Sequence, residues 1–257
     1  MSARKRFVPT TTDKGLCVSY RKSRYLKISW GRNHKHHSLS FNLQGDSARP
    51  DAKGFFTSPT NDDFHNDVMF VNPSPSSSRC SATWISTMAI NGNINIIKRK
   101  SQNQEQSNSN SEGLALMTLN RTYYKVHSKQ KIAYGIGTSN GAKITFHIQT
   151  SNLDAANPDN YNNNVLFVDG KPTILPSVYM THPFGLEKKW ILQDTESMID
   201  LSFTPISCNS RNLNIIALRT SYKDIYGTFD GVLLTKEGDK ITLKNFPGII
   251  YKNMLRM

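Results

Sequence analysis

The sequence has few cysteines, few acidic residues and no long hydrophobic run. Its three cysteines, Cys17, Cys80 and Cys208, are widely spaced in 257 residues and form no CxxC pair. This spacing argues against a disulfide framework or a cysteine-based zinc site. No apolar run approaches the roughly 18 residues of a membrane-spanning helix, and the N-terminus lacks the apolar stretch of a secretory signal. We therefore expect a soluble protein of the cytoplasm.

Motifs for nucleotide and phosphate binding are also missing. The sequence contains no GxxxxGK[ST] or GxGxxG pattern, which argues against nucleotide-binding loops. The histidines His34, His36 and His37 are the one candidate metal cluster, but the adjacent Lys35 and nearby positive charge oppose a cation. The sequence predicts no metal site, no cofactor and no catalytic residue.

Positive charge is concentrated at the N-terminus. The chain has 32 Lys and Arg against 19 Asp and Glu, a net charge of +13, and residues 1–37 hold ten of these cations and one acid. Such an arm can meet phosphates of nucleic acid or of an anionic membrane, or it can be a solvated terminus. Aromatic residues interleaved with this charge, Tyr20, Tyr25 and Trp30, support binding of nucleic acid or of an anionic membrane. The candidate polyanion-binding residues are Arg4, Lys5, Arg6, Arg21, Lys22 and Arg24.

Short apolar runs separated by turn residues predict an all-β protein with less than about a fifth helix. Asn140-Gly141 and Asp169-Gly170 are typical of tight hairpins, and Glu237-Gly238-Asp239 indicates another turn. Residues 249–255 are the nearest approach to a helical pattern. About fifteen strands indicate an antiparallel sandwich or barrel, and patterning alone does not choose between them.

A polar segment, residues 101–111 (SQNQEQSNSNS), has no apolar side chain and is predicted to be a disordered loop. Together with the basic N-terminus, this segment indicates four parts of the chain. These are a basic arm at 1–23, a first β block at 24–100 that forms a partial barrel, the polar insertion at 101–111, and a second β block at 112–257 that forms a barrel.

Several motifs follow one another in the second block. They are residues 163–171 (NNVLFVDGK), Lys189-Trp190, residues 200–205 (DLSFTP), residues 226–231 (YGTFDG) and Pro247-Gly248. In this order they resemble the family catalogued as domain of unknown function 2804, most clearly over residues 113–250. The resemblance implies a calycin-like, lipocalin-like antiparallel barrel, with one complete barrel and a partial or second one. It also implies apolar small molecules as ligands, and an N-terminal part shorter than that of family members.

The chain departs from the family pattern where an acid is customary. Arg121 is kept, but Thr118 stands in the place of one acid and Asn163 in the place of another. Neither side chain titrates near neutral pH. These departures favour a divergent binding protein over an enzyme. The ligand-binding candidates are Arg121, Tyr123, Asn164 and Trp190.

Three functions follow from these observations. The first is a non-enzymatic β-barrel that binds a small apolar or amphipathic molecule or a protein partner. The second is a hydratase or isomerase acting on an isoprenoid-like or lipid substrate, which Arg121 and Tyr123 would polarise. The third is binding of nucleic acid or an anionic membrane surface through residues 1–37.

Overall fold

The regular secondary structure is all β-strand in the residues that the structure describes. This computed structural model describes residues 5–7, 15–21, 24–31, 36–46, 50–59, 64–73, 79–99, 104–122, 126–151, 157, 159–215 and 218–256. No helix occurs in these ranges, and the sheets are antiparallel and curl into half-barrels. The prediction of an all-β, antiparallel barrel architecture is confirmed.

The described residues form seventeen strands. They are β1 (Lys5–Phe7), β2 (Gly15–Arg21), β3 (Arg24–Trp30), β4 (Ser38–Leu43), β5 (Asp51–Thr57), β6 (Asn66–Pro73), β7 (Cys80–Arg99), β8 (Gln104–Arg121), β9 (His127–Ser139), β10 (Ala142–Ser151), β11 (Val165–Val168), β12 (Lys171–Ile174), β13 (Val178–Thr181), β14 (Trp190–Asp194), β15 (Ile199–Ile215), β16 (Leu218–Leu234) and β17 (Lys240–Arg256).

Two compact units divide the chain. Unit 1 comprises residues 1–65 and 88–115, and unit 2 comprises residues 66–87 and 116–257. The division differs from the block boundaries expected from composition, because the first half of β7 pairs with β6 in unit 2 and the second half pairs with β5 in unit 1. A boundary inside a continuous strand carries no Pro, Gly or polar segment that a sequence could reveal.

Unit 1 is a meander in which the order β1-β2-β3-β4-β5 is followed by the second half of β7. Each strand alternates between two faces. On one face lie apolar residues such as Leu39, Phe56 and Ile94. On the other face lie Tyr25, Lys53 and further polar residues.

Unit 2 contains a nine-stranded sheet in the order β12-β11-β10-β9-β17-β16-β15-β14-β13. The edge strand β13 contacts β10, so the sheet curls strongly and encloses one core. Its largest fully buried side chains are Trp190, Phe146, Phe203 and Phe229. The Phe229 ring lies 5.1 Å from that of Phe146 and 4.7 Å from that of Phe203, so packed aromatic rings fill the middle of the sheet's concave face.

The opposite face of this sheet, along β10 and β11, is covered within unit 2 by β6 and the first half of β7. Ile85 of β7 packs there with Val165 and Phe167 of β11. Thr145 of β10 donates a hydrogen bond to Thr87 at 2.8 Å. The edge hairpin β11–β12 is thereby held on both faces.

Three sequence-based expectations are corrected by these strands. Residues 104–111, predicted to belong to a disordered loop, form the beginning of β8, since backbone pairing with β7 needs no apolar side chain. Residues 249–255, considered for helical turns, lie within β17, whose neighbours β9 and β16 hold them extended. A strand expected at residues 213–220 is instead the end of β15 and the beginning of β16.

Candidate functional site

Three lysines form a row across the concave face of the unit 2 sheet. Lys223 of β16 lies directly opposite Lys252 of β17, which lies directly opposite Lys131 of β9. Thr150 of β10 continues the row. Directly opposite residues in adjacent strands share one face, so we call Lys131, Lys223 and Lys252 the lysine row.

The lysine row borders the apolar core. Two residues further along each strand, on the same face, the next row consists of Ile225, Ile250, Ala133 and Ile148. All four side chains are buried at 0% exposure. The concave face therefore changes from buried apolar side chains to lysines between two neighbouring rows, which are two residues apart along each strand.

A cavity of about 480 Å³ lies at this border. The residues that line it are Lys129, Gln130, Lys131, Thr150, His182, Lys252, Asn253 and Met254. Among these described lining residues none is acidic, and three are lysines. These three lysines line one half-open space, which we call the basic cavity.

Hydrogen bonds hold the cations of the basic cavity in place. The Lys252 ammonium donates to His182 Nε2 at 2.9 Å, and the Lys131 ammonium donates to the Met180 carbonyl at 2.5 Å. Lys131 Nζ also lies 5.9 Å from the centre of the Trp190 ring. An ammonium group carries three donors, so one bond does not exhaust either lysine.

Electrostatic repulsion and burial act together on these groups. Burial lowers the pKa of Lys131. Burial, and then repulsion from Lys131, Lys223 and Lys129, lowers the pKa of Lys252. Burial, and then Lys252 and Lys131, lowers the pKa of His182, so its imidazole is neutral at neutral pH and Nε2 accepts the lysine's bond. An anion in the basic cavity would relieve this repulsion.

Of the expected ligand-binding residues that the structure describes, Trp190 alone lies beside the basic cavity. Trp190 is buried in the core, and its ring centre lies 4.4 Å from that of His182. Asn164 is buried before β11, where it accepts from the Gln149 amide at 2.7 Å and donates to the Pro176 carbonyl at 2.8 Å. Arg121 is exposed at the end of β8. Tyr123 lies outside the described residues, and ligand contact by all four stays a prediction.

The expected polyanion-binding residues are only partly described. Arg24 begins β3 and donates to the Gln44 side chain at 2.8 Å. Lys5 and Arg6 lie in β1, and Arg21 ends β2. Arg4 and Lys22 lie outside the described residues. Polyanion binding by this set stays a prediction.

Sequence reasoning did not single out the lysine row or the role of His182. The available signal was the alternation of Lys129 and Lys131 before an apolar strand, which places both on the core-facing side. Their convergence with Lys252 depends on the register between β9 and β17. That register is a long-range property that no local motif encodes.

A second polar cluster lies on the covered face of the sheet, centred on His147 of β10. Its Nδ1 donates to the Asn163 carbonyl at 2.8 Å. The Asn163 side chain accepts from Asn72 at 2.8 Å and donates to Thr83 at 3.1 Å. Burial lowers the pKa of His147 to about 4, so the imidazole is neutral. These bonds join β6, β7 and β10, and the cluster holds unit 2 together.

Two carboxylates of unit 2, Asp169 and Asp200, are exposed and bonded to neighbouring strands. Asp169 is exposed at the β11–β12 turn and accepts from the Lys143 amide at 2.8 Å. Asp200 is exposed on β15 and accepts from Gln193 at 3.0 Å. Each carboxylate accepts a hydrogen bond from a residue of a neighbouring strand.

The candidate metal cluster is described in part. His34 lies outside the described residues, His36 is exposed, and His37 is buried with its ring centre 5.1 Å from that of His65. In the ranges that the structure describes, no group of three His, Cys, Asp or Glu is arranged to hold a metal ion. Nor do those ranges contain a helix long and apolar enough to cross a membrane.

Comparison with known families gives one match. The family model described as "Domain of unknown function (DUF2804)" matches residues 2–256. The match covers both β blocks, whereas the motifs that carried the resemblance lie in residues 113–250. A comparison with curated proteins gives no match.

Proposed function

The chain belongs to the DUF2804 family, and from that premise we propose that it binds a small amphipathic molecule whose anionic group is held in the basic cavity by Lys131 and Lys252. The observation that carries this proposal is the lysine row, in which like charges lie directly opposite one another beside a buried core.

Like charges directly opposite in a sheet destabilise it. Lys252 has a lysine on each side, Lys223 and Lys131, and burial makes both Lys131 and Lys252 harder to keep charged. A carboxylate or phosphate between them would accept charge-assisted hydrogen bonds, which are about twice as strong as neutral ones. The arrangement is unfavourable in the empty protein and favourable in a complex with an anion.

The surroundings of the lysine row support an apolar part in the same ligand. Met254 lines the basic cavity, and the buried row of Ile250 and Ala133 lies next to the lysines. The volume of about 480 Å³ falls within the range of small-molecule sites, roughly 300–1,000 Å³. Because packed aromatic rings fill the core, the ligand lies at its border. Its anionic group contacts the lysines and its apolar chain contacts Met254.

Calorimetric titration with decanoate, decyl phosphate, decanol and inorganic phosphate tests the proposal. We expect one of the anionic amphiphiles to bind at least about tenfold more tightly than decanol or phosphate alone, since each charge-assisted bond contributes about 1.5–3 kcal/mol. Lys252→Met and Lys131→Gln should each weaken that binding about tenfold. Lys244→Met, an exposed lysine of the same strand, is the matched control. Equal binding of decanol and decanoate, unchanged by Lys252→Met, would contradict the proposal.

The same substitution is expected to stabilise the ligand-free protein. Lys252→Met removes the repulsion with both lysine neighbours, and water can replace its bond to the half-buried His182. We expect the free energy of unfolding, measured by urea denaturation, to rise by on the order of 0.5 kcal/mol. Lys244→Met should leave it unchanged. A loss of stability in Lys252→Met would mean that the lysine has a structural role instead.

A further inference from the structure

The polar face of the unit 1 sheet carries an ordered set of side chains. One row across β3, β4, β5 and β7 consists of Tyr25, Asn42, Lys53 and Asn95, each directly opposite the next. The adjacent row on the same face consists of Lys27, Ser40, Phe55 and Asn93. We call these eight residues the polar face.

Two aromatic rings are exposed within the polar face. Phe55 is 49% exposed and Tyr25 is 38% exposed. Strands lie about 4.8 Å apart and same-face residues about 7 Å apart, so the two positions are about 12 Å from one another. One planar group cannot cover both rings. A ligand that uses both must therefore present more than one ring.

A cavity of about 740 Å³ is lined by five residues of this face, Tyr25, Asn42, Lys53, Asn93 and Asn95, and by Phe41 and Gly54, which pair on the other face. The Asn95 Oδ1 atom is buried, and no donor in the described part of the chain reaches it. A buried acceptor without a donor is costly. It would be satisfied by an N–H or O–H of a ligand.

The charge of the polar face is positive. Lys27 and Lys53 are exposed, and neither row contains an acidic residue. Asp51, two residues before Lys53 on the same face, is the nearest acid along β5, and it accepts a hydrogen bond from the Gly45 amide at 2.7 Å. The face therefore suits a polyanion and gives no reason for a neutral saccharide.

We propose that the polar face binds single-stranded nucleic acid, with bases stacked on Tyr25 and Phe55, phosphates contacted by Lys27 and Lys53, and base edges bonded by Asn42, Asn93 and Asn95. Exposed aromatic rings on a basic sheet stack unpaired bases of any sequence. The bases of a duplex are already stacked and paired, so the rings cannot reach their faces. This site is separate from the basic cavity and does not depend on it.

The test measures fluorescence anisotropy of a labelled twelve-nucleotide single strand with the full-length protein at 50 and 200 mM salt. We expect binding to the single strand, much weaker binding to the duplex of the same sequence, and loss of affinity at higher salt. Phe55→Ala and Tyr25→Ala should each weaken binding at least about fivefold. Phe55→Tyr should retain binding, because the ring is kept.

Lys53→Gln should lower the slope of log affinity against log salt by about one. The matched controls are Tyr226→Ala, an exposed aromatic of unit 2 at 51% exposure, and Lys244→Gln. Equal effects of Phe55→Ala and Tyr226→Ala would overturn the proposal. So would binding that depends only on residues 1–6, or binding to vesicles containing phosphatidylserine without binding to the single strand. If an aromatic variant fails to fold, Lys53→Gln still tests the proposal, because it changes an exposed side chain.

Discussion

The wild-type protein is expected to lose about 3 kcal/mol more stability than its His147→Asn variant between pH 7 and pH 4. Burial lowers the pKa of His147 from 6.5 to about 4. In the unfolded chain the imidazole takes up a proton near pH 6.5, whereas the folded chain resists it until about pH 4. The unfolded state therefore binds more protons in this window, and stability falls as the pH falls.

The groups described around His147 are neutral, so none of them could compensate for a positive charge on its imidazole. The groups described around it are the Tyr134 ring at 5.1 Å, the Asn163 carbonyl, and the buried neutral side chains Thr145 and Gln149. None of these is a carboxylate. A proton on the imidazole would create a buried cation without a counter-charge, at a cost that the folded state avoids by staying neutral.

Urea denaturation at pH 7, 6, 5 and 4 measures this effect as a slope. An asparagine amide can replace the bond to the Asn163 carbonyl but does not titrate, so the variant should have a flatter slope whatever its stability at pH 7. His127→Asn, at the exposed beginning of β9, should keep the wild-type slope. Equal slopes in wild type and His147→Asn would show that another group controls acid unfolding.

Local turns were the part of this fold most readily predicted from sequence. Asn140 and Gly141 have φ of 51° and 82°, and Asp169 and Gly170 have φ of 48° and 80°. Each pair forms a two-residue hairpin between strands, as expected. Gly238, at φ 90°, makes the third predicted turn. These turns depend on residues that tolerate a left-handed backbone, which is a local property.

Strand lengths and the β5 strand were harder to predict. β5 lies in a segment read as loop because it contains Gly54 and Asp51, yet its pairing with β4 and β7 holds it extended. β15, β16 and β17 each run for 17 residues, far beyond their apolar segments. The outer end of β15 is mostly exposed and those of β16 and β17 are mostly half-buried, so hydrophobic alternation fades while backbone pairing continues.

The candidate sites were missed for the same reason. The lysine row joins Lys131, Lys223 and Lys252 from three strands, and the polar face joins four strands. In sequence the three lysines lie far apart from one another. Only the register of the strands, which depends on the whole sheet, places the three lysines opposite one another.

The family motifs gave architecture rather than chemistry. The motif at residues 200–205 lies on β15 and the motif at residues 226–231 lies on β16, and they pair directly. Leu201 faces Gly231, and Phe203 faces Phe229. The conspicuous residues of both motifs thus build the aromatic core of unit 2, and the glycines make room for it.

Gly231→Ala is expected to lower the free energy of unfolding by more than about 2 kcal/mol, because an alanine there would be strained and would clash. Gly231 has a φ of +136° at an irregularity in the pairing of β16 with β17. A Cβ atom would lie 2.1 Å from the Asp200 carbonyl oxygen and 3.0 Å from Leu201 Cα. Both obstacles are backbone atoms of β15, which cannot rotate away, so relief requires separating two central strands.

Urea denaturation of Gly231→Ala beside Gly113→Ala measures that cost. At Gly113 of β8 the nearest atom to a new Cβ is the Ile90 Cγ1 at 3.8 Å, an ordinary contact, so this control should stay within about 0.5 kcal/mol of wild type. A Gly231→Ala protein equally close to wild type would mean that β15 and β16 can separate locally without loss. In that case the pairing of the two family motifs would not be what holds the core of unit 2 together.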